Sequence, residues 1–251
     1  MSSIAAPAQA WPWPLHQRIL KRGLDLAVSS IALAISAPLL LVIGVAIPLT
    51  SPGPVLFRQE RVGRGGRRFR IWKFRTMIEG APDQGPAITA RGDPRVTRLG
   101  LWLRRTKLDE LPQLINVWLG DMSLVGPRPE VPRYVEGYSA EDRKVLAVRP
   151  GITDLASIAF RDEEAVLAQF PDREQAYVEL LLPRKLALGR EYVRQQSLAV
   201  DVALLLRTVA VVLRPRRLRG SDGALAATPV RGIPPVKRPA AEIPPIPARR
   251  S

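Results

Sequence analysis

Residues Leu24 to Thr50, LDLAVSSIALAISAPLLLVIGVAIPLT, constrain this chain more than any other stretch. They carry one charge, Asp25, at the end beside Lys21 and Arg22. At about 1.5 Å per residue a straight helix of this length runs about 40 Å, enough for a hydrocarbon core of about 30 Å. Pro38 divides the run near its middle, and each half, about 20 Å, is too short to cross alone. Arg18, Lys21 and Arg22 precede the run; Arg58, Arg61, Arg64, Arg67, Arg68 and Arg70 follow it. Basic flanks stay cytoplasmic, so a single crossing strands one cluster on the wrong face. A helix bent at Pro38, entering and leaving by one face, satisfies both clusters. A proline-kinked single span competes with it, and the residues alone leave the two open. A cleaved secretory signal fits less well, because the run is long and no small-residue cleavage site follows. Trp11 and Trp13 suit either the head-group level or a mobile tail.

The 251-residue chain holds 38 Lys and Arg against 23 acids, a formal charge of +15. Such an excess favours an anionic partner: nucleic acid, acidic head groups or phosphorylated substrates. Nine of the basic residues and eight prolines fall in 214–251, with only two acids, Asp222 and Glu242. That composition predicts a disordered basic tail rather than a domain. There is no cysteine, and the only histidine, His16, precedes the apolar run. Thiol nucleophiles, cysteine zinc sites and serine–histidine triads are thereby excluded. Catalysis, if present, must run on carboxylates, a metal ion, and Arg or Lys.

After Ser51-Pro52-Gly53-Pro54, the runs from Val55 and from Arg68 read as two strands flanking a Gly63-Arg64-Gly65-Gly66 turn. The glycines there match no phosphate-loop pattern, and Arg64, Arg67 and Arg68 read as a solvated basic face. Residues 79–95 form a loop, and Leu99 to Arg105 is short and amphipathic. Leu108 to Leu119 is expected to be one helix with Pro112 in its first turn. Residues 161–196 carry one or two surface helices, with Phe170-Pro171 and Leu182-Pro183 as breaks. Leu198 to Leu213 suits a buried or interfacial helix. The fold class is α+β: a small sheet surrounded by helices, lying against the membrane. The expected divisions are a tail over 1–17, a membrane helix over 18–50, a catalytic domain over 51–213 and the basic tail over 214–251.

The chemically richest stretch is Thr106 to Glu130, TKLDELPQLINVWLGDMSLVGPRPE. It opens on an acid pair, Asp109-Glu110, and closes on Gly126-Pro127-Arg128-Pro129-Glu130, a rigid loop presenting one guanidinium. Taken alone, the pair is ordinary acid placement at a helix start, and Arg128 suits a structural ion pair equally. The Asp-Glu-Leu-Pro-Gln-Leu string and the Gly-Asp-Met-Ser-Leu-Val-Gly-Pro-Arg-Pro string do not stand alone. With them come Arg58-Gln59-Glu60-Arg61-Val62-Gly63, Lys73-Phe74-Arg75-Thr76-Met77, Asp93-Pro94-Arg95-Val96-Thr97 and Arg149-Pro150-Gly151-Ile152-Thr153. In this order, over residues 18–213, the chain resembles the bacterial sugar transferases, the monotopic polyprenyl-phosphate hexose-1-phosphate transferases that begin glycoconjugate and exopolysaccharide assembly.

The resemblance implies a re-entrant N-terminal helix, broken here near Ser36-Ala37-Pro38, and interfacial helices at the bacterial inner membrane, with the catalytic domain on the cytoplasmic face. It implies transfer of a sugar-1-phosphate from a UDP-sugar to undecaprenyl phosphate with release of UMP. Asp109 would attack the phosphorus and form a covalent intermediate, while Glu110 helps bind Mg2+ or handle protons. A carboxylate nucleophile and a divalent cation are chemically suited to a diphosphate crowded with negative oxygens. Asp109 and Glu110 are the candidate metal ligands. Lys73, Arg75, Arg104, Arg128, Arg149 and Thr153 are the candidate substrate-binding residues, and Asp121 is a weaker metal candidate. Where the family often continues Pro-Gly-Ile-Thr with Gly and an Ala-Gln pair, this chain has Asp154-Leu155-Ala156-Ser157-Ile158, which puts the sugar preference in question. The expected partners are a UDP-sugar, undecaprenyl phosphate and inner-membrane lipid, with a homo-oligomer left open. A glycosyltransferase releasing UDP is the rival enzyme. A basic membrane-anchored nucleic-acid binder is the rival from another class, and no nucleic-acid motif supports it.

Overall fold

The computed structural model describes residues 13–85, 88–89 and 92–213. The expected disordered tail over 214–251, most of the N-terminal tail and Trp11 lie outside these residues. The apolar run and its basic prelude form one helix, α1 (Leu15–Thr50), which starts before the expected boundary at residue 18 and continues through Pro38 and Pro48. Ser36 Oγ donates to Ala32 O at 2.6 Å, so a side chain occupies a backbone acceptor one turn ahead of Pro38. Among the described residues α1 is the one helix long and apolar enough to cross a membrane.

Two separate stretches of this helix pack on the rest of the protein. Lys21, Asp25 and Ser29, spaced by four, are buried on one face, and Ile43 and Ile47 are buried further along. Val28, Ala32 and Leu33 pack on the main core. Leu40, Ile43 and Ile47 pack on a second cluster with Phe74 and Leu103. From Leu33 to Leu40 is only about 10 Å of helix, a third of a hydrocarbon core. Both ends of α1 therefore rest on the same body. Its other side exposes Ile31, Ile35, Leu41, Val42, Val45 and Leu49, an apolar surface for membrane association. Trp13 is buried, its indole donating to Gln196 O at 3.0 Å, so it pins the helix start to the domain instead of sitting among head groups.

The expected hairpin is present as β1 (Leu56–Val62) and β2 (Arg68–Phe74), antiparallel with Phe57 opposite Lys73. Next come α2 (Arg98–Thr106) and α3 (Gln113–Leu119). Asn116 of α3 ties the helix to β2 by donating to Arg70 O at 2.9 Å and accepting from Trp72 N at 3.0 Å. A second, parallel pair joins β3 (Ser123–Val125) and β4 (Gly151–Thr153), with α4 (Pro132–Glu136) between them. A Cβ on Gly151 would collide with the Gly126 backbone, and one on Gly126 with the Arg149 carbonyl, which fixes glycine at both. The chain closes with α5 (Leu155–Ala159), α6 (Glu163–Leu167), α7 (Arg173–Ala176), α8 (Leu182–Gln195) and α9 (Leu198–Leu213).

Two helix expectations change. Phe170-Pro171 is a break, but Leu182-Pro183 is not: α7 continues into α8 through a π-helical turn, Tyr177–Leu181. Pro183 has no N–H to donate one turn back, and the π-helical turn directly before it is where the hydrogen-bond ladder adjusts to that loss without breaking the helix. The single helix expected over Leu108–Leu119 is split. Lys107, the one non-glycine residue at positive φ among those described (62°), turns the chain, and Leu108–Glu110 forms a 3-10 turn before α3 starts at Gln113. Leu111 and Pro112 keep helical backbone, but Pro112 has no N–H to donate back, so the ladder is interrupted there and the acid pair stays outside α3.

Candidate active site

The acid pair sits on the wall of a cavity of about 1300 Å³. Lys73, Arg75, Arg104, Lys107, Arg128 and Thr153 share that wall. Strand β2 brings Lys73, whose ammonium donates to Glu110 Oε1 at 2.9 Å. The loop after β3 brings Arg128, whose guanidinium grips both Glu110 oxygens at 2.6 and 3.3 Å. Burial alone would raise the Glu110 pKa, but Arg128 and Lys73 hold it well below the ordinary carboxylate range. Glu110 in turn raises the pKa of Arg128, and burial lowers that of Lys73 against the pull of Glu110. The three form a preset cation–carboxylate–cation sandwich.

Asp109 is treated differently by its surroundings. Burial first, and the Glu110 charge second, push its pKa up. Its Oδ1 is buried with no hydrogen-bond partner, while the residue stays on the cavity wall. In a 3-10 turn adjacent side chains point about 120° apart, so Glu110 can turn to its cations while Asp109 does not. A buried acceptor left unpaired costs about 1–3 kcal/mol, which a reacting or metal-bound partner would relieve.

The other expected residues divide. Arg104 lines the cavity, donating to Thr76 Oγ1 at 2.8 Å and pairing with Glu164 at 3.2 Å. Arg75 also lines it, yet its guanidinium is turned to the carbonyls of Pro52 and Ser51, where it holds the chain leaving α1. Thr153 meets Thr208 of α9 at 2.6 Å, joining β4 to that helix at the cavity wall. Arg149 does not line the cavity: it donates to Gly120 O at 2.9 Å, and burial followed by Arg64 and Arg22 lowers its pKa. Asp121, in the α3–β3 turn, does not line it either.

Sequence reasoning marked Asp154 as a departure from the family's pattern but missed its role. Its Oδ1 accepts the Ser157 N–H as the N-cap of α5, and its Oδ2 accepts the Arg128 N–H at 3.3 Å. The acid that departs from the common Gly thus steadies the Arg128 loop. The signal was visible as an Asp three residues ahead of Ser157, but its second partner lies 26 positions back.

The sandwich hangs on the membrane helix. Asp25 accepts from Ser123 Oγ at 3.1 Å and Leu124 N at 3.0 Å. Lys21 donates to Val125 O at 3.1 Å and pairs with Asp201 of α9. Tyr192 of α8 donates to Asp201 at 2.7 Å. Strand β3, three residues before Arg128, is held between α1 and α9 by buried charges.

A family model described as Bacterial sugar transferase matches residues 16–215. The chain is 38% identical over 205 residues to the UDP-N-acetylgalactosamine-undecaprenyl-phosphate N-acetylgalactosaminephosphotransferase of Aeromonas hydrophila, covering 80% of this chain and 45% of that protein. It is 43% identical over 198 residues to the UDP-glucose:undecaprenyl-phosphate glucose-1-phosphate transferase of Caulobacter vibrioides, covering 77% and 69% respectively. The Escherichia coli protein with that same description is 38% identical over 200 residues, covering 76% of this chain and 40% of its own length. The chain thus spans less than half of the Aeromonas and Escherichia relatives.

Proposed function

The chain belongs to the bacterial sugar transferase family, and on that premise we propose that it moves a sugar-1-phosphate from a UDP-sugar to undecaprenyl phosphate, releasing UMP. The observation that carries this reading is the division of labour in the acid pair: Glu110 is neutralised by Lys73 and Arg128, while Asp109 lines the same cavity with one carboxylate oxygen left without a partner. The Asp109 carboxylate attacks the phosphorus bearing the sugar. The bond from that phosphorus to the bridging oxygen of UMP breaks, and UMP leaves with the electron pair. An oxygen of the lipid phosphate then attacks the same phosphorus and Asp109 is released as carboxylate. The bond between sugar and phosphate oxygen is never touched.

Lys73 and Arg128, fixed before substrate arrives by their bonds to Glu110, oppose the charge that builds on the phosphoryl oxygens without reorganising. Among the described residues no three carboxylates or histidines converge, so the fit for Mg2+ is one hard ligand group, the Asp109 carboxylate, with diphosphate oxygens and water completing the set. Bound there, the ion would neutralise diphosphate charge. Glu110, with its oxygens held by two cations, serves to position them. Thr208 and Val211 of α9 line the cavity, while Leu206 and Val209 of that helix are exposed apolar residues. A lipid acceptor reaching the dyad from the bilayer along α9 accords with this.

Arg128→Lys is expected to lower kcat/KM by about 10- to 100-fold with folding retained, because an ammonium makes only one of the two bonds to Glu110. Steady-state UMP release by purified enzyme measures it, and release of UDP instead would favour the rival glycosyltransferase reading. Unchanged kinetics would reduce Arg128 to a structural role.

We further propose that α1 is re-entrant at the inner membrane and that the catalytic body is cytoplasmic, since both ends of the helix rest on that body. Cysteines placed singly at His16 and Ala140, both exposed, report on this without background because the chain has none of its own. Both are expected to be protected from an impermeant maleimide in intact spheroplasts and labelled once the membrane is opened. Labelling of the two from opposite sides would establish a full span.

A further inference from the structure

Beyond Arg128 the cavity wall carries a second group of polar side chains that the acid pair does not use. Lys185 of α8 donates to Glu163 Oε2 at 3.0 Å and Oε1 at 3.3 Å, and to the Tyr177 hydroxyl at 3.2 Å. Tyr177 donates to Glu130 Oε1, which also lies 3.8 Å from the Lys185 ammonium. Arg61 approaches the other Glu130 oxygen at 3.6 Å. The rings of Tyr134 and Tyr177 lie 5.3 Å apart, so the group has an aromatic flank. Tyr134, Glu163, Tyr177 and Lys185 all line the cavity that holds Asp109.

This group is poorly explained as a stabilising device. Buried ion pairs are often no better for stability than apolar residues of similar volume. Here the pairs are gathered on a cavity wall from four separate parts of the chain. Tyr177 also opens the π-helical turn inside a run that is otherwise α-helical from Arg173 to Gln195. Such turns are uncommon and frequent at functional sites. Glu163 keeps 28% of its side chain accessible, more than Lys185 or Glu130. It also lies close enough to Arg128 to contribute to that residue's raised pKa.

We propose that Glu163 and Lys185, backed by Tyr177 and Glu130, bind the hydroxyls of the donor's hexose ring and set which sugar is transferred. The inference rests on the transferase reading above. A hexose whose 1-phosphate sits at Asp109 extends one ring beyond the phosphorus, and Arg128 feels the charge of both Glu110 and Glu163. Glu163 accepts hydrogen bonds from hydroxyls, Lys185 donates to them, and the tyrosine pair offers an apolar face to the ring carbons. Sites built to bond a hydroxyl discriminate strongly, because a missing group leaves buried partners unpaired.

The test uses purified full-length enzyme in detergent with undecaprenyl phosphate and four donors: UDP-glucose, UDP-galactose and their two N-acetylhexosamine counterparts. Glu163→Gln and Lys185→Met are expected to lower kcat/KM for the best donor by about 10- to 100-fold and to compress or reorder the ranking. Inhibition by UMP, which has no sugar, should stay within about twofold of wild type. Where Glu163→Gln fails to fold, Glu163→Asp keeps the charge, shortens the reach and should show the same split. An equal loss for all four donors together with weakened UMP inhibition would overturn the proposal, as would an unchanged ranking with unchanged kcat/KM. A wild-type enzyme that transfers sugar phosphate from no donor overturns the transferase reading itself, and this inference with it.

Discussion

Asp109→Asn is expected to abolish transfer, with a loss of at least about 10³-fold in kcat, while the protein keeps its fold. The substitution preserves shape and removes both the charge and the nucleophilic oxygen. It also relieves a buried carboxylate whose Oδ1 has no partner and whose ionisation is opposed first by burial and then by Glu110. Stability should therefore stay level or rise as activity vanishes, a combination that a merely structural acid would not give. Wild-type enzyme with magnesium and radiolabelled UDP-sugar, but no lipid, should retain label on protein and release a stoichiometric burst of UMP. Asp109→Asn should do neither. An active, lipid-free preparation with neither adduct nor burst would remove the covalent step and favour direct attack by the lipid phosphate.

Lys21→Met should be the most destabilising single change outside the site, by about 3–5 kcal/mol. It strips Asp201 of its ion-pair partner in a buried setting and takes the donor from Val125 O. Tyr192 is left as the remaining partner of Asp201 named in this network. The midpoint of thermal unfolding in detergent, or protease resistance against temperature, measures the loss. Pairing Lys21→Met with Asp201→Leu should recover most of it, because two apolar groups leave no charge unpaired. A Lys21→Met protein as stable as wild type would show that the α1–α9 link contributes nothing. Activity is expected to fall along with stability, since β3 leads directly into the Arg128 loop.

Local chemistry made some of this protein legible in its sequence. The two strands around Gly63-Arg64-Gly65-Gly66 and the apolar helices are set by period and turn residues over short windows, and they appear as expected. The acid pair and the Pro-Arg-Pro loop were visible as candidates through the strings that carry the family resemblance and because the chain offers no cysteine and only one, N-terminal histidine. The split before Gln113 was also written locally, in Pro112, although the turn at Lys107 was not.

Which cation meets which carboxylate was not local information. Lys73 and Arg75 are two residues apart with similar charge, yet one grips Glu110 across 37 positions and the other caps the exit of α1. Arg149 belongs to the same kind of motif as Arg128 but faces Gly120. Lys21 and Asp25 looked like charges at the edge of a membrane segment, and they are buried against α9 and β3 instead. By itself the sequence determined the elements, the apolar surface and the small set of groups able to do chemistry, because these follow from spacing along a few turns. The tertiary structure alone decided their pairing, because an ion pair is chosen by which surfaces desolvate together, and long-range packing brings those surfaces into contact.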